Sequence, residues 1–170
     1  MRRAALVVLG MLLMGYVASV VGPVSAQDAS PVASPAAMGT VDTTPVDGVI
    51  SFTVVERAET DAVIDQLPEG DSAGDLLVFA NPVFDAGNQQ QVGTDQGWCI
   101  RTDVAGGAWE CTWTLILSQG QIVVQGPFLD SGDSTLAIIG GTGDFSGATG
   151  EMGLSAVSAT AFAFSYNVEV

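Results

Sequence analysis

Short apolar runs, broken at close intervals by glycine, aspartate and serine, fill most of this chain. They are clearest over residues 121–156, QIVVQGPFLDSGDSTLAIIGGTGDFSGATGEMGLSA, where the runs 122–124, 136–139 and 152–154 read as strand, turn and strand again. The glycines Gly140, Gly141, Gly143, Gly147 and Gly150 suit positions where φ turns positive or two backbones close up without side chains between them. Read the same way, the β-branched run 49–55 is a first strand, 75–81 a second that stops at Pro82, and 90–103 a third. A turn at 105–107 leads to a fourth over 108–118, followed by 121–125, 134–140, 149–157 and 160–170. Residues 56–73 are polar and read as a long loop with one weakly helical patch at 62–67. Eight strands on short turns without helical periodicity give an all-β fold, an eight-stranded antiparallel up-and-down β-barrel or a sandwich, and closure into a barrel removes exposed edges.

The first residues change the picture of where the chain works. Arg2 and Arg3 precede an uncharged apolar run to Val21, and Val24-Ser25-Ala26 has the small-x-small form of a cleavage site. Residues 1–26 therefore read as a signal peptide and the protein as secreted, with an uncleaved membrane anchor as the alternative, since about 18 apolar residues is the lower limit of a span. No cysteine follows the run, which removes a lipid-modified anchor from the reading. Residues 27–47 are rich in Ala, Ser, Thr and Pro and read as a flexible tether, and residues 48–170 as one β-barrel domain.

Beyond residue 26 only Arg57 and Arg101 oppose all 19 acidic residues, two charges against nineteen, a net −17. Nucleic acid and anionic membranes are poor partners for such a field. Solubility outside the cell accounts for the charge. Cation binding by Asp130, Asp133 and Asp144 is the sharper reading, but no run has the spacing of a calcium loop, and no metal site is expected. The chain has no histidine, which excludes Ser-His-Asp and Cys-His catalysis and histidine zinc sites. The glycines of 140–150 lack the lysine of a phosphate loop and no helix follows them.

Cys99 and Cys111 stand symmetrically about Ala105, so a hairpin turning there places them opposite each other on one face, where a disulfide can form. Oxidation suits an exported protein, and a disulfide, not a nucleophile, is the expected use of Cys99. In that register Asp95, Gly97, Cys99 and Arg101 share a face with Trp109, Cys111, Trp113, Leu115 and Leu117, and the large apolar members make this the interior. Trp98, Ile100, Thr112, Thr114 and Ile116 look outward, a mixed set that suits partial cover by another subunit. An interior with Leu77, Phe79, Trp109 and Trp113 is either a ligand cavity or a packed core. Arg101 can clamp a ligand carboxylate or, more simply, pair with Asp103 or Asp95. Asn81 can present its amide to the cavity or begin a turn.

The segments GDLLVFAN (74–81), QGWC (96–99), ECTWTLIL (110–117) and VQGPFLDSGDSTLAIIGGTGDFSGATGEMGL (124–154) closely resemble the barrel of plant allene oxide cyclases and, more distantly, dirigent proteins. The resemblance covers nearly all of 48–170. It implies an eight-stranded antiparallel barrel, commonly a homotrimer, whose apolar cavity folds a reactive fatty-acid epoxide so that it cyclises with one handedness, without a cofactor. Dirigent relatives steer the coupling of phenoxy radicals. Carried over by position, the family's cavity residues fall on Leu77, Phe79, Asn81, Cys99, Trp109 and Phe128. The cyclases carry an inward glutamate on the first strand that assists ring opening. Aligned here, that position and the next inward one fall on Thr53 and Val55, so the charge is missing and Glu56, one residue on, faces outward if alternation continues.

The residues and the resemblance together give a secreted barrel that binds an apolar small molecule, fatty-acid or phenolic in origin, and steers its cyclisation as an isomerase lacking the assisting glutamate. A non-catalytic lipocalin-like carrier and a structural module packed solid are the alternatives. The cavity candidates are Thr53, Leu77, Phe79, Asn81, Arg101, Trp109, Trp113 and Phe128. Connected interior space of about several hundred cubic ångströms is what separates a ligand-binding barrel from a packed one.

Overall fold

The computed structural model describes residues 38–170. The expected signal peptide and residues 27–37 of the expected tether lie outside the described residues. Nine strands follow in order: β1 Val49–Arg57, β2 Ala62–Ile64, β3 Leu76–Asp85, β4 Gln91–Asp103, β5 Ala108–Leu117, β6 Gly120–Leu129, β7 Ser134–Gly143, β8 Thr149–Ser158 and β9 Ala161–Glu169. From β3 to β9 each strand pairs antiparallel with the next, β9 pairs with β1, and β1 returns to β3, which closes an eight-stranded barrel. β2 is a ninth, three-residue strand laid on β3. It occupies the patch read as weakly helical, because the exposed edge of β3 offers hydrogen bonds that three apolar residues in isolation cannot find as a helix.

The β4–β5 hairpin has the register expected of it, Cys99 opposite Cys111 and Arg101 opposite Trp109, and the cysteines form a disulfide. Inside, Trp113 lies over Gly97: a Cβ at Gly97 would collide with the Trp113 Cβ and the Thr112 carbonyl oxygen, so only glycine lets the indole settle there. Trp98 and Ile100 are exposed on the outer face. At the end where β7 turns into β8, Phe145 and Ala148 fold inward and are fully buried, with Phe145 beside Phe52 and Phe52 stacked on Tyr166 at 5.0 Å between ring centres. Residues ahead of β1, read as tether, touch this end. Gly39 N donates to Gln91 O at 2.8 Å, Gln119 Nε2 donates to Val41 O at 2.7 Å, and Val41 packs against the core.

Closure is thinnest at the β1–β3 seam. Three residue pairs join these strands, Val54–Asp85, Val55–Phe84 and Glu56–Val83, while β2 takes Leu76 to Val78. Between them, residues 79–82 pair with neither strand on that side. Pro82, expected to end the second strand, sits inside β3 in this gap, where its missing N–H withdraws no ladder bond. The gap is filled by side chains. Asn81 Oδ1 accepts from Glu59 N at 3.0 Å and Thr60 N at 2.9 Å, while its Nδ2 donates to Glu56 Oε1 at 2.6 Å and Asp61 Oδ1 at 2.7 Å. The Thr60 hydroxyl accepts from Ala80 N at 2.7 Å and lies 3.0 Å from both Ala80 O and Asn81 Oδ1, to one of which it donates. One buried amide thus stands in for the missing strand pairing and separates two carboxylates.

Replacing Asn81 by Ala strands two backbone donors and leaves Glu56 and Asp61 facing each other, which should destabilise the domain by about 3 kcal/mol or more. Denaturant titration checks this, and a loss below about 1 kcal/mol would mean that the seam closes without the amide.

Candidate functional site

At the end of the barrel where β1 leaves and β3 sets out, the interior is not filled. The hollow is walled by Leu77, Phe79, Trp113, Phe128, Leu154, Phe162 and Phe164, with the Cys99–Cys111 disulfide, Glu56 and Asp61. The empty space among these walls is about 400 Å³ including the open mouth, and about 50 Å³ of it is wide enough to take the centre of a water molecule. This falls short of the several hundred cubic ångströms that mark a ligand-bearing barrel, so room for a ligand requires wall rings to move. The rings set the width: Phe128 meets Phe162 edge to face at 6.3 Å, and Phe79 meets Trp113 edge to face at 6.0 Å. Leu77, Phe79, Phe128 and Phe162 are half-buried and form the outer wall, while Trp113, Phe164 and the cystine are buried behind them.

Acidic groups stand on one side of this apolar hollow. Glu56 is 6% exposed and lies on the inner face of β1; Asn81, 1% exposed, and Asp95, 0% exposed, are opposite each other on β3 and β4. Glu56 receives one hydrogen bond through Oε1, from the Asn81 amide, and Asp61 stands exposed at the mouth on the other arm of that amide. Neither oxygen of Asp95 has a hydrogen-bond partner, nor has the Tyr166 hydroxyl or the Trp113 indole N–H. Burial pushes the Glu56 carboxyl up to about 7, the Asn81 hydrogen bond opposing this and the Asp61 charge adding to it. Burial, and then the charge of Glu56, push Asp95 to about 9. The Tyr166 phenol is raised as well, first by burial and then by Asp95, with the Trp113 indole near enough to oppose the shift without a hydrogen bond of good geometry. At neutral pH Asp95 is thus a neutral acid, and Glu56 is poised between its two forms.

Leu77, Phe79, Trp113 and Phe128 fall in the walls. Thr53 does not: the inner face of β1 is Ile50, Phe52, Val54 and Glu56, so Thr53 lies on the outer face with its hydroxyl 3.1 Å from Ser165 Oγ. The reading of Thr53 as inward was one residue out of register, and the same slip hid Glu56. The first strand does carry an inward glutamate. Asn81 acts behind the wall as the pin that holds the carboxylates. Arg101 and Trp109 belong to a separate open hollow with Val63, Asp65 and Asp71. There Arg101 grips Asp71 through Nε at 2.9 Å and Nη2 at 2.7 Å, sets Nη1 2.7 Å from Asp130 Oδ2, and lies 4.7 Å over the Trp109 ring, whose Nε1 donates to Asp130. The arginine is an ion-pairing residue, with Asp71 and Asp130 in place of the expected Asp103 or Asp95. Asp130, one of the acids weighed for a cation, is spent in the same pair.

Both raised carboxyls bind protons in the folded chain that the unfolded chain releases above about pH 4. Stability is therefore full below that value and falls as pH rises through about 7 for Glu56 and about 9 for Asp95. The thermal midpoint should drop by several degrees between about pH 5 and pH 9, and Asp95→Asn, neutral at every pH, should flatten most of that slope. A midpoint independent of pH over this range in the unaltered protein would contradict the burial account.

The sequence pattern that defines the family described as Allene oxide cyclase matches residues 46–167, most of the chain. Among solved structures, a pyocyanin demethylase superposes with a TM-score of 0.64 at 26% identity, covering 70% of this chain and 99% of that one. An exo-specific intermolecular Diels–Alderase superposes at 0.58 with 13% identity over 71% of this chain and 97% of that one. A pterocarpan synthase dirigent protein does so at 0.56 with 15% identity over 71% of this chain and 91% of that one. Matched to the family pattern over most of its length and folded as the same kind of barrel as these structures, this chain belongs to the allene oxide cyclase family.

Proposed function

We propose that the barrel takes a compact, largely apolar molecule into the aromatic hollow and isomerises or cyclises it, with Glu56 as the group that takes and returns a proton and the rings as the mould of the product. The observation that carries this reading is the pair of buried carboxyls, Glu56 and Asp95, with no cation beside them. Both arginines of the domain are committed elsewhere: Arg101 to Asp71 and Asp130, Arg57 to Asn88 and the face of Phe84. Two acids without a counter-ion cost stability that a barrel serving only as a packed module has no reason to bear. A carboxyl titrating near neutrality is matched to proton transfer in either direction. Entry requires Phe128 and Phe162 to turn aside, a rotamer change of the kind ligands commonly induce. The names of the family and of the demethylase, the 26% identical structure, both describe reactions of small molecules, which supports a small-molecule site here. The leader-like first residues support action after export, and the exposed Trp98 and Ile100 support a homo-oligomer.

Two probes test the reading. A neutral fluorescent amine, N-phenyl-1-naphthylamine, should bind one per chain, and narrowing the hollow with Leu154→Phe should weaken it by about ten-fold or more. 5-Nitrobenzisoxazole, whose C–H proton is removed as its N–O bond opens, should be turned over with saturation, at a rate rising with pH through about 7, the value of Glu56. Glu56→Gln should lower kcat by about a hundred-fold, within the range typical of a general base. Binding of the amine with no saturable turnover would leave a carrier. Binding of neither would leave a structural module.

A further inference from the structure

Resting on that reading of the hollow, the charge pattern around it says more about what it holds. Every ionisable group at the hollow is an acid. Glu56 and Asp61 are in its wall, Asp95 stands behind Glu56 on β4, and Tyr166 closes in from β9. Among the described residues, the side chain hydrogen-bonded to Glu56 and Asp61 is Asn81, whose two amide hydrogens are already given to them. Neither arginine of the domain can serve an anion there: Arg57 is stacked 3.5 Å from the Phe84 ring centre with its Nε and Nη2 on Asn88, and Arg101 is held by Asp71 and Asp130. A ligand carboxylate, such as the family's fatty-acid epoxide carries, would enter beside Glu56 and Asp61 with nothing of opposite charge to meet it.

The remaining walls favour the opposite sign. Phe79, Trp113, Phe128, Phe162 and Phe164 present ring faces and edges around the same space, and an aromatic enclosure attracts a desolvated cation through its ring quadrupoles. A positive charge beside Glu56 would also relieve its repulsion with Asp61. The net −14 of residues 48–170, sixteen acidic residues against Arg57 and Arg101, would draw it to the mouth. We propose that the ligand of this hollow is a compact organic cation, a quaternary or protonated nitrogen on a flat ring, held between Glu56 and Asp61 on one side and the aromatic walls on the other. An apolar body with a single positive charge satisfies both halves of the site, which a neutral hydrocarbon or a fatty acid does not.

Calorimetric titration with three molecules of similar shape, N-methylquinolinium, neutral quinoline and 1-naphthoate, tests this on the whole domain at moderate salt. At about pH 8.5, where Glu56 is ionised, the cation should bind on the order of ten-fold tighter than quinoline and the naphthoate should not bind. At about pH 5.5, with Glu56 protonated, that preference should shrink to two- or three-fold. Glu56→Gln should erase it at the higher pH, and Asp61→Asn, which keeps an oxygen for the Asn81 amide, should reduce it in part. Glu151→Gln, exposed on the outside, should leave it intact. Quinoline binding as tightly as the cation would overturn the inference while sparing the hollow as a binding site, and so would a preference lost equally in Glu151→Gln. Failure of all three to bind would overturn both.

Discussion

The fold turns on how a barrel is closed where two of its strands no longer reach each other. β1 leaves β3 after three residue pairs, and the backbone exposed by that parting is satisfied by one side chain, Asn81. A buried amide has two acceptor lone pairs and two donor hydrogens. Its oxygen serves the turn that carries the chain from β1 to β2, and its nitrogen is left with two hydrogens facing inward. Those hydrogens require acceptors, and the acceptors present are carboxylates. The same residue that closes the cylinder therefore fixes acid groups in an interior otherwise made of rings and aliphatic chains.

From that constraint the electrostatics of the hollow follow. The Asn81 hydrogen bond makes it possible to bury Glu56, but it cannot also serve Asp95, which lies across the β3–β4 pairing with both oxygens unpartnered. The burial of Asp95 is tolerable only in its neutral form, and its raised carboxyl in turn shares the proton economy of Glu56. The positive groups of the domain are used up in ion pairs and stacking at other places, so no counter-charge compensates. An all-β shell with short turns can hold such an arrangement because its register leaves little freedom to relax it.

Much of this was legible in the sequence. Alternation in β4 and β5, pinned by the symmetry of Cys99 and Cys111 about Ala105, placed Asp95, Trp113 and the disulfide on the inner face. The β1 register was not legible in the same way. VISFTVVER has apolar residues on both faces near its end, and Val55 is buried on the outer face as Val54 is on the inner, so alternation could be counted from either set. The slip put Thr53 inside and Glu56 outside. β2 and the passage of β3 through Pro82 were hidden because both depend on the gap in the seam, a tertiary circumstance that local propensity does not record. Arg101 was correctly weighed as an ion-pairing residue, but its partner Asp71 comes from a loop thirty residues away whose path no periodicity marks.

The interior holds a carboxylic acid, Asp95, that stays protonated near neutrality for want of a partner. Isotope-edited infrared spectroscopy with labelled aspartate, which separates the carbonyl stretch of a protonated carboxyl from the bands of carboxylates, tests it directly. A protonated-carboxyl band should persist at about pH 7, fade only towards about pH 9, and be absent from Asp95→Asn. Complete ionisation of every aspartate by about pH 5.5, well above the ordinary carboxylate value, would contradict it.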